Sequence, residues 1–552
     1  MQALKRKRSR LACTPCRERK RKCDGDEPCV TCSEWGYECH YETRQRKPRT
    51  PRQPARGAEP EAQPSSEPIT QSEIAHSDQA GLIRRLEANS GAAFVRKLGL
   101  KIDPAKAPKL DLFGWNVGAR NLSAPIIPSP ALSIIEITSL EHMKALAQVY
   151  FDKVDPCYGF IDRDIFNERL EERWQSSMIP TLYDSVLAGV AAIGCLFSQL
   201  QATTTELHLV HTAKGCLDMH HLYGPPSIDL LTGWTLRSIY LRLTDTPHAT
   251  WIASSTLMHL LEASGFHPEP SEGSFLPQIA QCDPEIKKRL VGLAHHLNVW
   301  TSFDLGLSRV SFQKNDLPSL PFPKHGDYTG EILGLLPISL SLDPGKSKDG
   351  IEIDLTSTLS KLLDGTHTQP PSVLAQCNLA LCIIRRIHTQ NLDISSSLAE
   401  RVLVLLKKSL GCASRMALNC SPWHQIANVP FQIICVLLTL DSRSSLAILP
   451  EAMQTLSLIA STYETETLTE AYRTACLLVL LHRQRRKDDI AILGDALSFH
   501  QPDMLAPSSP EVHPSSEEYT WLGALVADLP GLQRVDLDQF LNADMMDTIS
   551  FL

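Results

Sequence analysis

Six cysteines are concentrated in residues 13–39, and their spacing limits what this part of the chain can fold into. One unit, Cys-x2-Cys-x6-Cys, occurs twice with a period of sixteen residues. Because so short a segment cannot bury enough apolar surface, cross-links or bound metal must supply much of its folding free energy. The six residues are Cys13, Cys16, Cys23, Cys29, Cys32 and Cys39.

Two zinc ions fit this set of thiols if two of the sulfurs are shared. Structural zinc takes four ligands in a tetrahedron, so two separate ions need eight donor atoms where the segment offers six thiolates. Two bridging cysteines make up the difference. Because the halves repeat, we expect the bridges at the first cysteine of each half, Cys13 and Cys29.

A run of basic residues separates the second and third cysteines, and it predicts an anionic partner. Six thiolates outweigh the charge of two Zn2+ ions, and the basic residues can offset this excess while they face a phosphate backbone. We therefore expect double-stranded DNA as the partner. The basic residues are Arg17, Arg19, Lys20, Arg21 and Lys22.

Two other interpretations of the cysteines fit the sequence less well. A secreted disulfide knot would follow a signal peptide, whereas residues 5–10 are mostly basic and lead straight into the cysteines. The other ten cysteines scatter singly, as expected of core thiols in a reducing compartment. A protein-binding zinc module of the RING or LIM type needs eight protein ligands, and only His40 lies nearby as a seventh.

The run Cys16-Arg-Glu-Arg-Lys-Arg-Lys-Cys23-Asp-Gly, followed by Pro28-Cys29, resembles the fungal Zn2Cys6 binuclear cluster family. The resemblance implies two Zn2+ ions and a DNA-binding module. In such a module the first helix enters the major groove and reads CGG-type triplets.

The same resemblance implies a role for each basic residue. Lys20 is expected to contact the guanine edges, with Arg19 beside it, because lysine pairs well with guanine O6 and N7. Arg17 and Lys22 are expected to contact phosphates, which set the register without reading the sequence.

Charge divides the 552-residue chain into unlike parts. Sixteen Lys and Arg against seven Asp and Glu give the first 56 residues a net charge of +9, so the remainder sums to −17 and the whole chain to −8.

A chain of this length exceeds what one core usually supports. We predict a basic tail (1–12), a zinc module (13–39), a disordered basic and proline-rich linker (40–80), a connecting segment (81–130), an all-α domain (131–490) and a disordered acidic-hydrophobic tail (491–552).

The linker predicts a nuclear location but leaves the oligomeric state open. Its basic half is typical of an import signal, although a solvated tail attracted nonspecifically to DNA has the same composition. Residues 74–86 contain no sustained heptad of apolar positions, so strong dimerisation through a coiled coil is not expected. A monomer and a weak homodimer both stay open.

From residue 131 onward, apolar residues recur at the i, i+3, i+4 and i+7 positions of helices. This pattern predicts an all-α helical array. The longest apolar run, 186–197, is too short to span a bilayer, so no membrane partner is expected. Apolar anchors in residues 86–98 and 112–115 are expected to dock on this domain. Helices are predicted at 140–154, 182–200, 251–264, 286–305, 375–387, 398–416 and 468–483.

The central domain shows no catalytic motif in its sequence. A zinc-protease motif, a nucleophile elbow, a phosphate loop and a dinucleotide fingerprint are all missing, so we predict that the chain is not an enzyme. The adjacent pairs His220-His221 and His295-His296 point about 100° apart on a helix and do not converge on one ion. The run Trp300-Thr-Ser-Phe-Asp304, within residues 284–323, resembles the fungal-specific transcription factor domain and implies its fold.

Beyond Pro502 nine acidic residues face a single arginine, with bulky apolar residues between them. This composition is typical of an activation segment that recruits transcription machinery or a coactivator, and a final helix packed on the core is the alternative.

Together these features predict a zinc-dependent RNA polymerase II transcription factor that binds CGG-type promoter sites and activates transcription. Resemblance to regulators of filamentous fungi implies control of a secondary-metabolism gene cluster or another metabolic pathway. A repressor with the same module and a zinc-dependent protein-interaction adaptor are the alternatives.

Overall fold

The structure is a computed structural model, and helices are the regular secondary structure of the residues that it describes. Two compact units, Met1–Thr70 and Gln71–Leu552, divide the chain. No strand occurs in the described residues, which confirms the predicted mostly-α fold. These residues are 12–18, 23, 28–34, 39–40, 94–95, 98, 118, 132–220, 226–244, 247–265, 283–312, 320–321, 325–342 and 354–498.

Nineteen helices have defined bounds in the described residues, two of them in the first unit, and Phe94, Val95 and Leu98 are also helical. The first unit contains α1 (Thr14–Glu18) and α2 (Val30–Glu34). The second unit contains α3 (Ile134–Ile137), α4 (Leu140–Lys153), α5 (Arg163–Trp174), α6 (Asp184–Leu196), α7 (Thr204–His220), α8 (Ile228–Thr244), α9 (Pro247–Ala263), α10 (Pro284–Leu305), α11 (Thr329–Leu333), α12 (Leu336–Ser341), α13 (Leu355–Asp364), α14 (Pro370–Thr389), α15 (Ser396–Leu418), α16 (Gln425–Leu440), α17 (Arg443–Leu446), α18 (Leu449–Tyr463) and α19 (Glu466–Ser498).

The helix ends follow local sequence signals, as α10 illustrates. Its first turn contains Pro284, which sacrifices no helical hydrogen bond there, and the Asp283 carboxylate accepts a hydrogen bond from the Glu285 N–H. It ends at Gly306, whose φ of 64° is a left-handed conformation that glycine adopts without strain. All seven helices predicted from periodicity are observed. The last of them, α19, runs to Ser498, past the predicted domain boundary at residue 490.

Helix α6 lies at the centre of the second unit. All thirteen of its residues are buried, and α4, α7 and α8 pack around it. Gly194 lets α4 approach closely, because a Cβ at this position would lie 2.3 Å from the carbonyl oxygen of Leu146. The backbone of α4 therefore occupies the space that a side chain at position 194 of α6 would need.

A buried ion pair fixes the N-terminal end of α6. Arg173 Nε lies 2.6 Å from Asp184 Oδ1, and their side chains are 4% and 0% exposed. The guanidinium also donates to the hydroxyls of Ser176 and Ser133 and to the carbonyl of Ser177. Since a buried charge pair is tolerated when its remaining hydrogen-bonding groups are satisfied, this network ties the loop after α5 to both α3 and α6.

One continuous apolar core joins the helices of the second unit, and part of the connecting segment belongs to it. Phe94, Val95 and Leu98 pack in this core, as expected of the connecting segment, whereas the other predicted anchors, in residues 86–93 and 112–115, lie outside the described residues. Eight of the nine described cysteines outside residues 13–39 are buried, in agreement with their interpretation as core thiols. In the described ranges, no helix is both long enough and apolar enough to cross a membrane.

Gly194→Ala is expected to destabilise the second unit by about 1–3 kcal/mol, the usual cost of overpacking a core. The added Cβ would meet a backbone oxygen, which cannot rotate away as a side chain can. Urea unfolding of the full chain, followed by far-ultraviolet circular dichroism, measures the change.

Gly411→Ala is the matched control, because nothing lies within 4 Å of a Cβ built at Gly411. Within α15 alanine should be neutral or stabilise by up to about 1 kcal/mol, since it favours helix over glycine. Equal unfolding midpoints for Gly194→Ala and the unmodified chain would contradict the close approach of α4 and α6.

Candidate metal centre and nucleic-acid interface

Four of the six clustered cysteines meet at one point in the first unit. Their Sγ atoms all lie within 4.8 Å of one another, and all four residues are buried. Sulfur–sulfur distances are 3.7 Å for Cys13–Cys29, 3.6 Å for Cys13–Cys32, 3.6 Å for Cys16–Cys29 and 3.9 Å for Cys16–Cys32. Elsewhere in the described ranges, no three His, Cys, Asp or Glu side chains come together in this way.

These distances fit metal coordination and exclude disulfides. The sulfurs of a disulfide lie about 2.05 Å apart. In a tetrahedral zinc site with Zn–S bonds of about 2.3 Å, two sulfurs on one ion lie about 3.8 Å apart. The observed separations of 3.6–3.9 Å therefore match the edge of a zinc–thiolate tetrahedron.

The two halves of the repeat hold their sulfurs with the same local structure. In each half the first cysteine precedes a five-residue helix and the second lies within it, so that Cys16 belongs to α1 and Cys32 to α2. The backbone N–H of Thr14 donates to the carbonyl oxygen of His40 at 2.9 Å and joins the two ends of the module. The sequence repeat is thus also a structural repeat.

Backbone N–H groups of the second half point at its sulfurs. The N–H of Cys32 donates to Cys29 Sγ, and the N–H of Cys29 donates to Cys39 Sγ, both at 3.3 Å. Burial raises the pKa of the Cys29 thiol, but the N–H of Cys32 and the neighbouring thiols bring that pKa down to about 6. Burial raises the pKa of Cys13 and Cys16. A bound cation would favour the thiolate form at all of these positions.

Cys23 and Cys39, the last cysteine of each half, are half-buried and pack against the four central residues. All six cysteines predicted to bind metal are therefore neighbours in the fold.

The basic residues predicted to contact DNA are only partly covered by the structure. The backbone of Arg17 lies in α1, the first helix of the module. Its side chain, together with Arg19, Lys20, Arg21 and Lys22, lies outside the described residues.

The adjacent histidines of α10 point to different neighbours, as their spacing predicts. The His295 ring packs edge-on against Phe312, with 5.3 Å between ring centroids. The His296 ring packs against Tyr158 and Trp300 at 5.8 Å and 5.1 Å. Burial lowers the pKa of His296 to about 3, so this imidazole is neutral at physiological pH.

Sequence reasoning missed a buried polar cluster around Arg242 of α8. Its guanidinium donates to Thr301 Oγ1, to Asp304 Oδ2 at 2.9 Å and to His424 Nε2 at 2.9 Å. These partners come from α10 and from the residue before α16, so no local pattern links them. No pattern in α8 distinguishes Arg242 from the other charged residues of that helix, Asp229 and Arg237.

Two family models match this sequence in the order of its two units. Residues 11–48 match the fungal Zn(2)-Cys(6) binuclear cluster domain, and residues 147–393 match the fungal specific transcription factor domain. The first match covers the cysteine cluster, and the second covers α5 to α14 with the second half of α4.

Three relatives resemble the chain over most of its length. Protein RDR1 of Gibberella zeae is 41% identical over 98% of this chain and 99% of the relative. Transcription factor kojR of Aspergillus oryzae is 34% identical over 94% and 91%, and Protein RDR1 of Saccharomyces cerevisiae is 28% identical over 89% and 92%. The chain therefore belongs to the fungal Zn(2)-Cys(6) transcription factors, non-enzymatic DNA-binding regulators whose cluster holds two zinc ions.

Proposed function

We propose that this protein binds CGG-type promoter sites in the nucleus through its zinc cluster and activates transcription through its acidic tail. The observation that carries the proposal is the set of four sulfurs at the spacing of a zinc–thiolate tetrahedron, directly beside a run of five basic residues.

The symmetry of the repeat supports Cys13 and Cys29 as the bridging ligands, because each is the first cysteine of its half. With these bridges, one ion takes Cys13, Cys16, Cys23 and Cys29, and the other takes Cys13, Cys29, Cys32 and Cys39. The pairs Cys13–Cys29, Cys13–Cys32 and Cys16–Cys29, at 3.6–3.7 Å, would then each share an ion.

The charge distribution supports DNA as the partner of the first unit. The net charge of +9 over residues 1–56 supplies the electrostatic attraction that phosphates require. Within it, Lys20 and Arg19 are proposed to read guanine, whereas Arg17 and Lys22 are proposed to contact phosphates.

Replacing a bridging cysteine should disrupt both metal sites, and replacing a terminal cysteine only one. We expect Cys13→Ser and Cys29→Ser to remove most of both zinc ions, because each bridging sulfur is a ligand of both. Cys23→Ser and Cys39→Ser should leave one ion bound. Zinc content of the purified full chain, measured by mass spectrometry of the metal, distinguishes the two classes.

Cys420→Ser is the control for zinc content, since Cys420 is a half-buried thiol of the second unit. It should retain both ions. If Cys23→Ser lost as much zinc as Cys13→Ser, the assignment of the bridges would be wrong.

Lys20→Ala and Lys22→Ala should weaken DNA binding in different ways. Loss of a guanine contact is expected to cost about 1–3 kcal/mol on CGG sites and to relax the preference for them. Loss of a phosphate contact should weaken all sequences alike and reduce the slope of log affinity against log salt by about one. Selection from randomised duplex DNA, followed by salt titrations with the zinc-loaded full chain, measures both effects. If the unmodified chain bound DNA only weakly, with an affinity that depended on neither DNA sequence nor salt concentration, a protein-interaction adaptor would be favoured instead.

Deleting residues 503–552 should lower expression of a reporter gene placed behind selected sites and leave DNA affinity unchanged. Alanine at Phe540, Leu541 and Met545 should give a similar loss, because the apolar residues are the groups that a coactivator groove would accept. Alanine at Ser508, Ser509 and Ser515 is the matched control and should retain full output. Unchanged output in the deletion would contradict the activating role, and increased output would identify a repressor.

A further inference from the structure

An open cleft of about 460 Å³ lies between α14, α15 and α16 of the second unit. Its apolar walls include Ile384, Leu403, Val436 and Leu440. Phe94, which belongs to the connecting segment, also lines it. Because burial of apolar surface is favourable, these walls suit an occupant that carries apolar side chains.

Two carboxylates add negative charge to the cleft. Asp393 and Glu400 line it, and both are exposed. Neither side chain forms a hydrogen bond or an ion pair with a residue that the structure describes. The basic residues of the lining lie deeper, because Arg385 is 4% exposed and donates to Gln432 Oε1 at 3.2 Å, and His388 is half-buried. An occupant with cations beside its apolar groups would therefore complement this surface.

The connecting segment contains such a sequence shortly before Phe94. Residues 82–86 are Leu-Ile-Arg-Arg-Leu, which provides three apolar and two cationic side chains. These five residues lie outside the described residues. Elsewhere between His40 and Ala93, no five consecutive residues hold more than one bulky apolar side chain. Residues 82–86 are thus the part of this stretch that matches both the apolar walls and the carboxylates.

The distance along the chain allows these residues to reach the cleft. Leu86 precedes Phe94 by eight residues, which span roughly 12 Å as a helix and about 27 Å when fully extended. The intervening residues are mostly small and include Gly91, so the chain can turn between the two points. Because Phe94 is held at the cleft, this short tether gives residues 82–86 a high effective concentration there.

We propose that residues 82–86 dock in this cleft of the same chain. The apolar side chains pack on its walls, and Arg84 and Arg85 lie beside Asp393 and Glu400. Since exposed ion pairs contribute little free energy, the apolar contacts supply most of the binding and the charges orient the segment. The tether between the zinc cluster and the second unit then ends at residue 81 instead of residue 93. The inference goes beyond the proposed function, and it does not depend on which DNA sites the first unit reads.

Limited digestion of the zinc-loaded full chain with trypsin tests the docking, because trypsin cleaves after arginine only where the chain is accessible. The rates at Arg84 and Arg85 are compared with the rate at Arg56 in the linker. Each rate is divided by that of a synthetic peptide with the same local sequence, and mass spectrometry quantifies the fragments. We expect cleavage after Arg84 and Arg85 to be at least tenfold slower than after Arg56. Equal normalised rates at the three bonds would overturn the proposal.

A pair of tryptophan variants shows whether the cleft is the docking site. Ser396→Trp should fill the cleft and speed cleavage after Arg84 and Arg85 at least fivefold, without changing the rate at Arg56. Ser397→Trp is the matched control, because Ser397 is exposed and does not line the cleft. Equal protection in both variants would place the segment elsewhere and refute this site.

A pair of charge variants tests the role of the carboxylates. Asp393→Asn combined with Glu400→Gln should speed cleavage after the two arginines by about two- to fivefold, as expected for the loss of exposed ion pairs. Glu168→Gln combined with Glu172→Gln changes the net charge equally and should have no effect, because these exposed acids of α5 do not line the cleft. Equal acceleration in both double variants would contradict the charge pairing.

Dilution distinguishes docking within one chain from docking between two copies. At a constant trypsin concentration, intramolecular docking gives protection that does not depend on protein concentration. Protection after Arg84 and Arg85 should therefore stay the same on tenfold dilution of the protein. Protection that falls on dilution would assign the cleft to the segment of a second copy and overturn the intramolecular proposal.

Discussion

Helix α6 leaves no side chain on a solvent face, and this constraint determines how the helices around it are placed. A helix that is apolar all round must be covered all round, so α4, α7 and α8 enclose it. Gly194 sets how near α4 can come, and the Arg173–Asp184 pair fixes where α6 begins. Helices α4 and α7 bury one face each, whereas α8 is itself buried almost all round and must be covered in turn by further helices.

The described residues of the first unit form a cluster of thiols rather than an apolar core. Its buried residues are mainly thiols, and their mutual spacing suits a metal better than it suits direct packing. Metal coordination is directional, so the cluster fixes the orientation of α1 as well as its stability. A helix of five residues is too short to be stable by itself. Metal coordination by Cys16, which lies within α1, holds this helix in its helical conformation.

The features that could be predicted from the sequence are those specified by residues close to one another along the chain. The cysteine spacing specifies the cluster within residues 13–39, and the Asp283, Pro284 and Gly306 signals delimit α10. The domain boundary predicted at residue 490 lies inside α19, which continues to Ser498 with residues 485–496 exposed. The cluster of Arg242, Asp304 and His424 had no such signal, because its members come from elements far apart in the sequence. Only the tertiary fold brings them together.

Some buried polar groups of the second unit reduce its folding stability, whereas the apolar residues of its core increase it. Trp300, Gln432 and Asn428 each bury a polar atom without a partner among the described residues, and apolar side chains of similar volume would avoid that cost. Arg385 adds a guanidinium whose pKa burial lowers. Replacement of buried charges by apolar residues is often neutral or stabilising, so folding stability alone does not account for this cluster. In α6, by contrast, burial removes apolar side chains from water, and this burial stabilises the fold directly.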